Sequence, residues 1–328
     1  MEITRVDPAD RAAVEAYVAV RNAVSAADAP WLHPMTESSA VGDLRYGWDG
    51  EPDTAYLGVE DGVPVAAGTL STTEYDNLHL AWFGPKVHPD HRRRGLGSAM
   101  LESLLAEARA RGRTTFGADA WDDAGFAAFA EHHGFEAASR AVNRRQVLAD
   151  VDPDVVRRQH DEALPAASDY DLVRRAGRTS DHELEALAEM AAAINDAPTD
   201  DLDIEDEVFT ADRMRRYEQA QEGRGYRLYR VLARHRATGE LAGHSVVVVE
   251  ADRPTIGDQH DTSVVAGHRG HRLGLLLKAD MYLWLREVEP QLETIDTWNA
   301  ESNDHMIGVN ELLGYQVLGR AVEYQRKD

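Results

Sequence analysis

Two short runs hold the residue types needed to bind phosphate: Arg92-Arg93-Arg94-Gly95-Leu96-Gly97-Ser98 and Arg269-Gly270-His271-Arg272-Leu273-Gly274. Each follows a strand-like apolar run, ending near Val87 in one case and near Val265 in the other, and each opens a helical stretch. At such a junction the first backbone N–H groups of the helix lack intrahelical partners, and the helix dipole favours negative charge. Glycine lets the backbone approach an anion closely, and arginine adds fork-like donors. A phosphate-bearing ligand is therefore expected at both runs. The dinucleotide fingerprint fits less well, because it opens a βαβ unit, and no Gly-Lys-Ser/Thr occurs anywhere for a lysine-ending phosphate loop.

Acid–base candidates are fewer. Asp261, beside His260 near the middle of the fourth expected strand of the second half, is the expected general base, with burial raising its pKa toward neutrality. The competing reading is a structural, hydrogen-bonded aspartate. In the corresponding run of the first half the candidate is His79, and a lone strand histidine is more often structural. His132 and His133 are adjacent and fall on different helix faces, while His268 and His271 lie inside the second anion run, so no metal site is expected.

The two halves repeat in register. Asp61-Gly62 and Thr238-Gly239 mark hairpin turns, and Val87-x-Pro89-x-His91-Arg92 corresponds to Val264-x-Ala266-x-His268-Arg269, a constant shift of about 177 positions by the logic of internal repeats. Further on, Gly134-Phe135 pairs with Gly314-Tyr315 after a short insertion. Two copies of one domain follow.

Arg92-x-x-Gly95-x-Gly97 after Val87-His88-Pro89, together with the two Gly-aromatic pairs and the Asn299–Asn303 turn, resembles the GNAT N-acetyltransferase superfamily. The resemblance implies an α/β fold: two tandem domains, each a central, mostly antiparallel mixed sheet flanked by helices, with a splayed cofactor cleft. It implies acetyl-CoA as co-substrate, held by Val87, Arg92–Ser98 and, in the second copy, Val265, Arg269–Gly274 and Asn303. It also implies a backbone N–H near Val87 or Val265 that polarises the thioester carbonyl, and acetyl transfer to a primary amine of a small molecule. The alternatives are a non-catalytic acyl-CoA-binding or sensing protein and a mycothiol-synthase-like acetyltransferase. Departures are visible. Where relatives carry an acidic tyrosine this chain has Ala130 and Asn310; Asp123 stands where Asn303 stands in the second copy; and Arg272 stands at a loop glycine position, where its Cβ is expected to crowd the turn.

Length and composition bound the rest. The chain of 328 residues, 43% hydrophobic, suits two cores, and its lack of cysteine excludes disulfides, thiolate metal sites and a Cys nucleophile. A net charge of −23 argues against nucleic acid and leans toward cationic small molecules. No early run resembles a signal peptide or a membrane span, so a cytoplasmic monomer or homodimer without membrane partners is expected. Apolar periodicity and turn residues place a first domain at 1–149, a linker at 150–168 on account of Pro153 and Pro165, and a second domain at 169–328. Within them, single strands are expected at 77–87 and 258–266, loop helices at 98–111 and 273–285, and a capping box at Ser180–Glu183.

Overall fold

The structure, a computed structural model, describes residues 1–328. The first half of the chain forms β1 (Glu2–Arg5), α1 (Arg11–Asp28), α2 (Glu37–Tyr46), β2 (Thr54–Glu60), β3 (Val63–Ser71), β4 (Leu80–Phe83), β5 (Lys86–Val87), α3 (Leu96–Ala110), β6 (Thr115–Trp121), α4 (Ala124–His132) and β7 (Glu136–Val147). The second half forms α5 (Pro153–Ala163), β8 (Tyr170–Ala176), α6 (Leu184–Ala191), α7 (Ala211–Gly223), β9 (Tyr226–His235), β10 (Leu241–Glu250), β11 (Ile256–Val264), α8 (Leu273–Val288), β12 (Thr294–Ala300), α9 (Asp304–Leu312) and β13 (Gln316–Lys327). No helix is long and apolar enough to cross a membrane.

Two compact units emerge, each assembled from separate stretches: Met1–Ala141, Thr199–Asp206 and Gly319–Asp328 in the first, Val142–Pro198 and Glu207–Leu318 in the second. The sheet of the first unit runs β1-β2-β3-β4-β6 and ends on the last ten residues of β13 and its tail. Those residues pair antiparallel with β6 from Ala321↔Trp121 to Lys327↔Thr115, while β4 and β6 are parallel. Leu70, Phe83, Met100, Leu101, Phe116, Val322 and Tyr324 share one core under α3. α1 and α2 cover the other face through Val14, Tyr17, Val18 and Ala40.

The mid-chain stretch Thr199–Asp206 is held against this first sheet. Glu205 and Asn77 bond reciprocally, Asp203 N–H donates to Gln325 at 2.7 Å, and His79 Nε2 lies 3.4 Å from the Asp203 carbonyl. His79 thus takes a structural position.

The sheet of the second unit runs β8-β9-β10-β11-β12 and ends on the second half of β7, from Val142. Arg145 of β7 clamps Asp296 of β12 with two bonds of 2.6 and 2.7 Å. Each unit therefore completes its sheet with a strand from the other half of the sequence.

The structure corrects several expectations. Residues 150–168 form no free linker: α5 buries Val156 and Ala163 in the core of the second unit beside Leu276, Leu277 and Tyr282 of α8. Pro153 stands at the start of α5, where a missing N–H costs nothing. The run 77–87 is broken at Gly84-Pro85, although the register on β3 is the same before and after the break. Helix α3 begins at Leu96, not at residue 98. Ser180 makes no side-chain cap; Glu183 is drawn instead to Arg175 and Arg234.

Candidate functional site

Both units open a gap at one place. In the second, β11 and β12 pair in parallel only from Ile256↔Thr294 to Asp258↔Asp296. On β10, Ser245 faces Thr262 and Val247 faces Gln259, so two residues, His260 and Asp261, oppose Val246 in a β-bulge. The bulge turns β11 away from β12 and leaves a cavity of about 1290 Å³. Val265 N–H donates to Ala242 of β10. Successive N–H groups alternate sides along a strand, so Val264 N–H is turned to the open edge. Val264, not Val265, is therefore the candidate carbonyl polariser of this unit, because Val265 N–H is consumed by the ladder.

In the first unit the break at Gly84-Pro85 does the work of the bulge, since proline cannot extend the ladder. β5 stays on β3 while β6 pairs only as far as Phe83↔Ala118. His88 N–H bonds to Val65 O, which turns Val87 N–H to the gap. A cavity of about 890 Å³ lies there, walled by Val87, Gly95–Ser98, Trp121 and Phe129.

Beneath each gap stands an uncapped helix N-terminus. The first intrahelical bond of α3 runs from Ala99 to Gly95 and that of α8 from Leu276 to Arg272, with no side-chain cap at either end. The N–H groups of Leu96, Gly97 and Ser98, and of Leu273, Gly274 and Leu275, therefore have no intrahelical partner.

Both turns need two residues of left-handed backbone, Arg93 and Gly95 in one, Gly270 and Arg272 in the other. Each copy supplies glycine at one of the two and arginine at the other. A Cβ at Gly95 would meet nothing within 4 Å. The equivalent position in the first copy thus has room for a side chain, and Arg272 itself adopts left-handed backbone. Its guanidinium reaches back to the Glu162 carbonyl at 3.1 Å, and His271 contacts the Ala166 carbonyl at 3.0 Å.

Most of the arginines expected to grip phosphate are already engaged. Arg92 donates to the Val87 carbonyl and clamps Asp28 at 2.8 and 2.7 Å; Arg269 repeats this with the Val264 carbonyl and Asp196. Arg94 binds Glu60 at 2.5 Å. These pairs shape the loops. Arg93 makes no such bond and is the exposed cation of the first cradle. Ser98 Oγ lies 2.9 Å from His133 Nε2.

Residues 20–135 match the Acetyltransferase (GNAT) family. Over 99% of its length the chain is similar to a tandem GNAT protein from the clavulanic acid biosynthesis pathway, solved without AcCoA, with 27% identity, 98% of that chain covered and a TM-score of 0.81. A GCN5-related N-acetyltransferase from Sphaerobacter thermophilus shares the fold at 17% identity, with 99% and 95% of the two chains covered and a TM-score of 0.69. Among curated proteins, none matches this sequence. Residues 20–135 thus carry a GNAT-family domain, and the chain as a whole has a tandem GNAT fold.

As in the GNAT pattern, Asn303 and Asp123 occupy one position in the two copies. Each is the N-cap of the last helix: Asn303 accepts from Met306 N–H, Asp123 from Gly125 and Phe126 N–H. Asp123 thus spends its carboxylate on its own helix. Asn310, at the family's tyrosine position, is fully buried and donates to Asn299 at 2.7 Å.

The second GNAT cavity also holds Asp261, half-buried on the bulge and without a hydrogen bond. Burial pushes its carboxyl pKa up, opposed by the Arg230 guanidinium. Its neighbour His260 is held by Tyr217 Oη at 2.6 Å, and burial lowers its pKa to about 3, so it stays neutral.

Sequence reasoning missed Lys278. This α8 residue lines the same cavity with 4% exposure and no carboxylate partner, its Nζ 4.7 Å from the ring centroid of Tyr315. Desolvation lowers its pKa to about 7. The available signal was a lone lysine in a helix apolar nearly all round.

A stability prediction follows for Lys278. The unfolded chain binds this proton up to the ordinary lysine pKa and the folded chain only to about 7, so stability rises with pH between those values. Lys278→Met should therefore raise stability by on the order of a few kcal/mol at pH 7. That advantage should shrink toward zero as pH approaches the lysine range. Denaturant titrations of both proteins from pH 6 to pH 10 check this, and an equal gap at every pH would contradict it.

Proposed function

We propose that the protein transfers the acetyl group of acetyl-CoA to a primary amine of a small molecule, and that the second unit is the centre of turnover. The observation that carries this reading is the convergence in one cavity of an uncapped helix N-terminus, the Val264 N–H at the open strand edge, and the unpaired carboxylate of Asp261. Acetyl-CoA, when bound, supplies an activated thioester. The N–H groups of Leu273–Leu275 hold its phosphates, and Val264 N–H stabilises the charge that develops on the thioester oxygen.

Asp261 removes the proton of the incoming ammonium, directly or through water. Lys278, with its proton held near neutrality, is placed to protonate the departing thiolate in the role the missing tyrosine leaves open. The acidic surface attracts a cationic acceptor.

A second reading applies to the first unit. The repeat places Gly84 where Asp261 stands, so that cleft has a cradle and a polarising N–H without a carboxylate at that strand position. It suits binding of acetyl-CoA more than turnover of an external amine. Amine-dependent release of free thiol from acetyl-CoA, assayed over an amine panel, tests the proposal. Binding of acetyl-CoA with no amine-dependent release would favour a binding protein throughout.

A further inference from the structure

The chain has three lysines beside thirty-two arginines, and two of the three line the two cavities. Arginine stays protonated, whereas lysine can lose its proton and become a nucleophile. Placement of lysine in a chain that otherwise uses arginine therefore distinguishes chemistry from charge. Lys327 is the ordinary case: its side chain is 65% exposed and paired with Asp203 at 2.9 Å.

Lys86 is different. It lies on β5, one residue before Val87, in the wall of the first cavity. The Val87 side chain packs beneath the sheet with Met100 and Phe129. Its strand neighbour Lys86 therefore projects from the opposite face, the one covered by α1. The charged groups facing it are Asp119 of β6, Arg21 and Asp28 of α1, and Arg92 of the loop. None forms an ion pair with it, and Asp28 is already held by Arg92. Burial, the largest influence, lowers the Lys86 pKa; Arg21 and Arg92 push the same way, and Asp119 and Asp28 oppose them. An amine without a partner thus stands beside the Val87 N–H, on the face opposite the cradle helix, where an acceptor would enter.

We propose that the first cleft acetylates its own wall, with Lys86 Nζ taking the acetyl group of acetyl-CoA bound at the Gly95–Ser98 cradle. The inference rests on the acetyl-CoA reading above and extends it to a self-modification site. The neutral amine attacks the thioester carbonyl carbon. The C–N bond forms, the C–S bond breaks with its electron pair going to sulfur, and the proton lost by nitrogen ends on that sulfur. Free CoA thiol and Nε-acetyllysine result, with no other reactant. The amide product is uncharged and fills the acceptor side of the cavity, so the event occurs once per chain.

The test incubates the full-length protein with acetyl-CoA and follows acetyl occupancy at all three lysines by peptide mass spectrometry. Occupancy at Lys86 should approach one per chain and outpace exposed Lys327 by about tenfold or more, the scale of a templated reaction. Gly95→Val, which strains the cradle turn, should slow Lys86 and leave Lys327 unchanged. Lys86→Arg keeps the charge and should remove the modified peptide. A readout without acetyl-CoA is competitive labelling with acetic anhydride, where Lys86 should become reactive at lower pH than Lys327.

Calorimetric binding of acetyl-CoA with Lys86 unmodified, or modified no faster than Lys327, overturns the inference while the donor reading stands. No acetyl-CoA binding at all overturns the donor reading, and the inference with it.

Discussion

Asp261→Asn lowers amine-dependent turnover of acetyl-CoA by about 10²- to 10⁴-fold, the usual loss when a positioned base is removed. The side chain keeps its size, and the native carboxylate makes no hydrogen bond that the amide would break. Acetyl-CoA affinity is therefore expected to stay close to that of the parent, because the cradle is built from backbone groups of α8, twelve or more residues further along the chain.

The pH profile makes the assignment specific. Burial raises the Asp261 pKa above the ordinary carboxylate range, so the parent rate climbs with pH as Asp261 loses its proton in that raised window. In the Asn variant that acidic limb disappears, while any limb at higher pH from Lys278 remains. Unaltered turnover would clear Asp261 of a chemical role and move the search to the first unit or to an acceptor that needs no base.

The second large effect concerns the end of the chain. Deleting Gly319–Asp328 is expected to unfold the first unit. The deletion removes seven paired positions from the edge of β6 and takes Val322 and Tyr324 out of the core shared with Phe83 and Phe116. It also removes the Arg109–Asp328 and Arg326–His133 contacts and the Gln325 acceptor of Asp203 N–H. Burial of two such side chains contributes roughly 1.5–3 kcal/mol each, and the lost ladder adds to that, against a typical total of about 5–15 kcal/mol. Limited proteolysis of the truncated chain should cut throughout Met1–Ala141. A point variant, Tyr324→Ala, should lower stability by about 3 kcal/mol without abolishing the fold. A truncated protein with the parent's cleavage pattern would show that β13 is dispensable.

That strand also marks where sequence reading stopped. Local signals placed both cradles, the hairpins and the last helices, because a turn glycine, an N-cap and a strand end act within a few residues. Strand partnering is non-local. The last residues of β13 and the second half of β7 carry the same alternating pattern, and nothing in either says which sheet it joins. A boundary drawn at 149 therefore assigns each to the half it lies in, whereas the units interleave.

The 150–168 stretch was obscured by its prolines, although Pro153 at a first helical position is a helix signal. α7 was hidden by its charge: Arg213, Arg215 and Glu218 are spent on internal ion pairs that composition does not announce. The arginines of the two anion runs were read as phosphate ligands, yet most are tied to Asp28, Glu60 and Asp196, partners supplied by distant parts of each fold. Lys86 and Lys278 went unread as chemistry because a single lysine has no spacing to interpret.

The most direct measurement follows a labelled acetyl group. The full-length protein is incubated with acetyl-CoA carrying an isotopic label in the acetyl carbons and with each member of an amine panel, and the amines are then analysed by mass spectrometry. At least one small primary amine is expected to acquire the labelled acetyl group as an amide, over many turnovers, with an equal yield of free CoA thiol. Labelled acetate as the sole product, or thiol release that no amine accelerates, would contradict it.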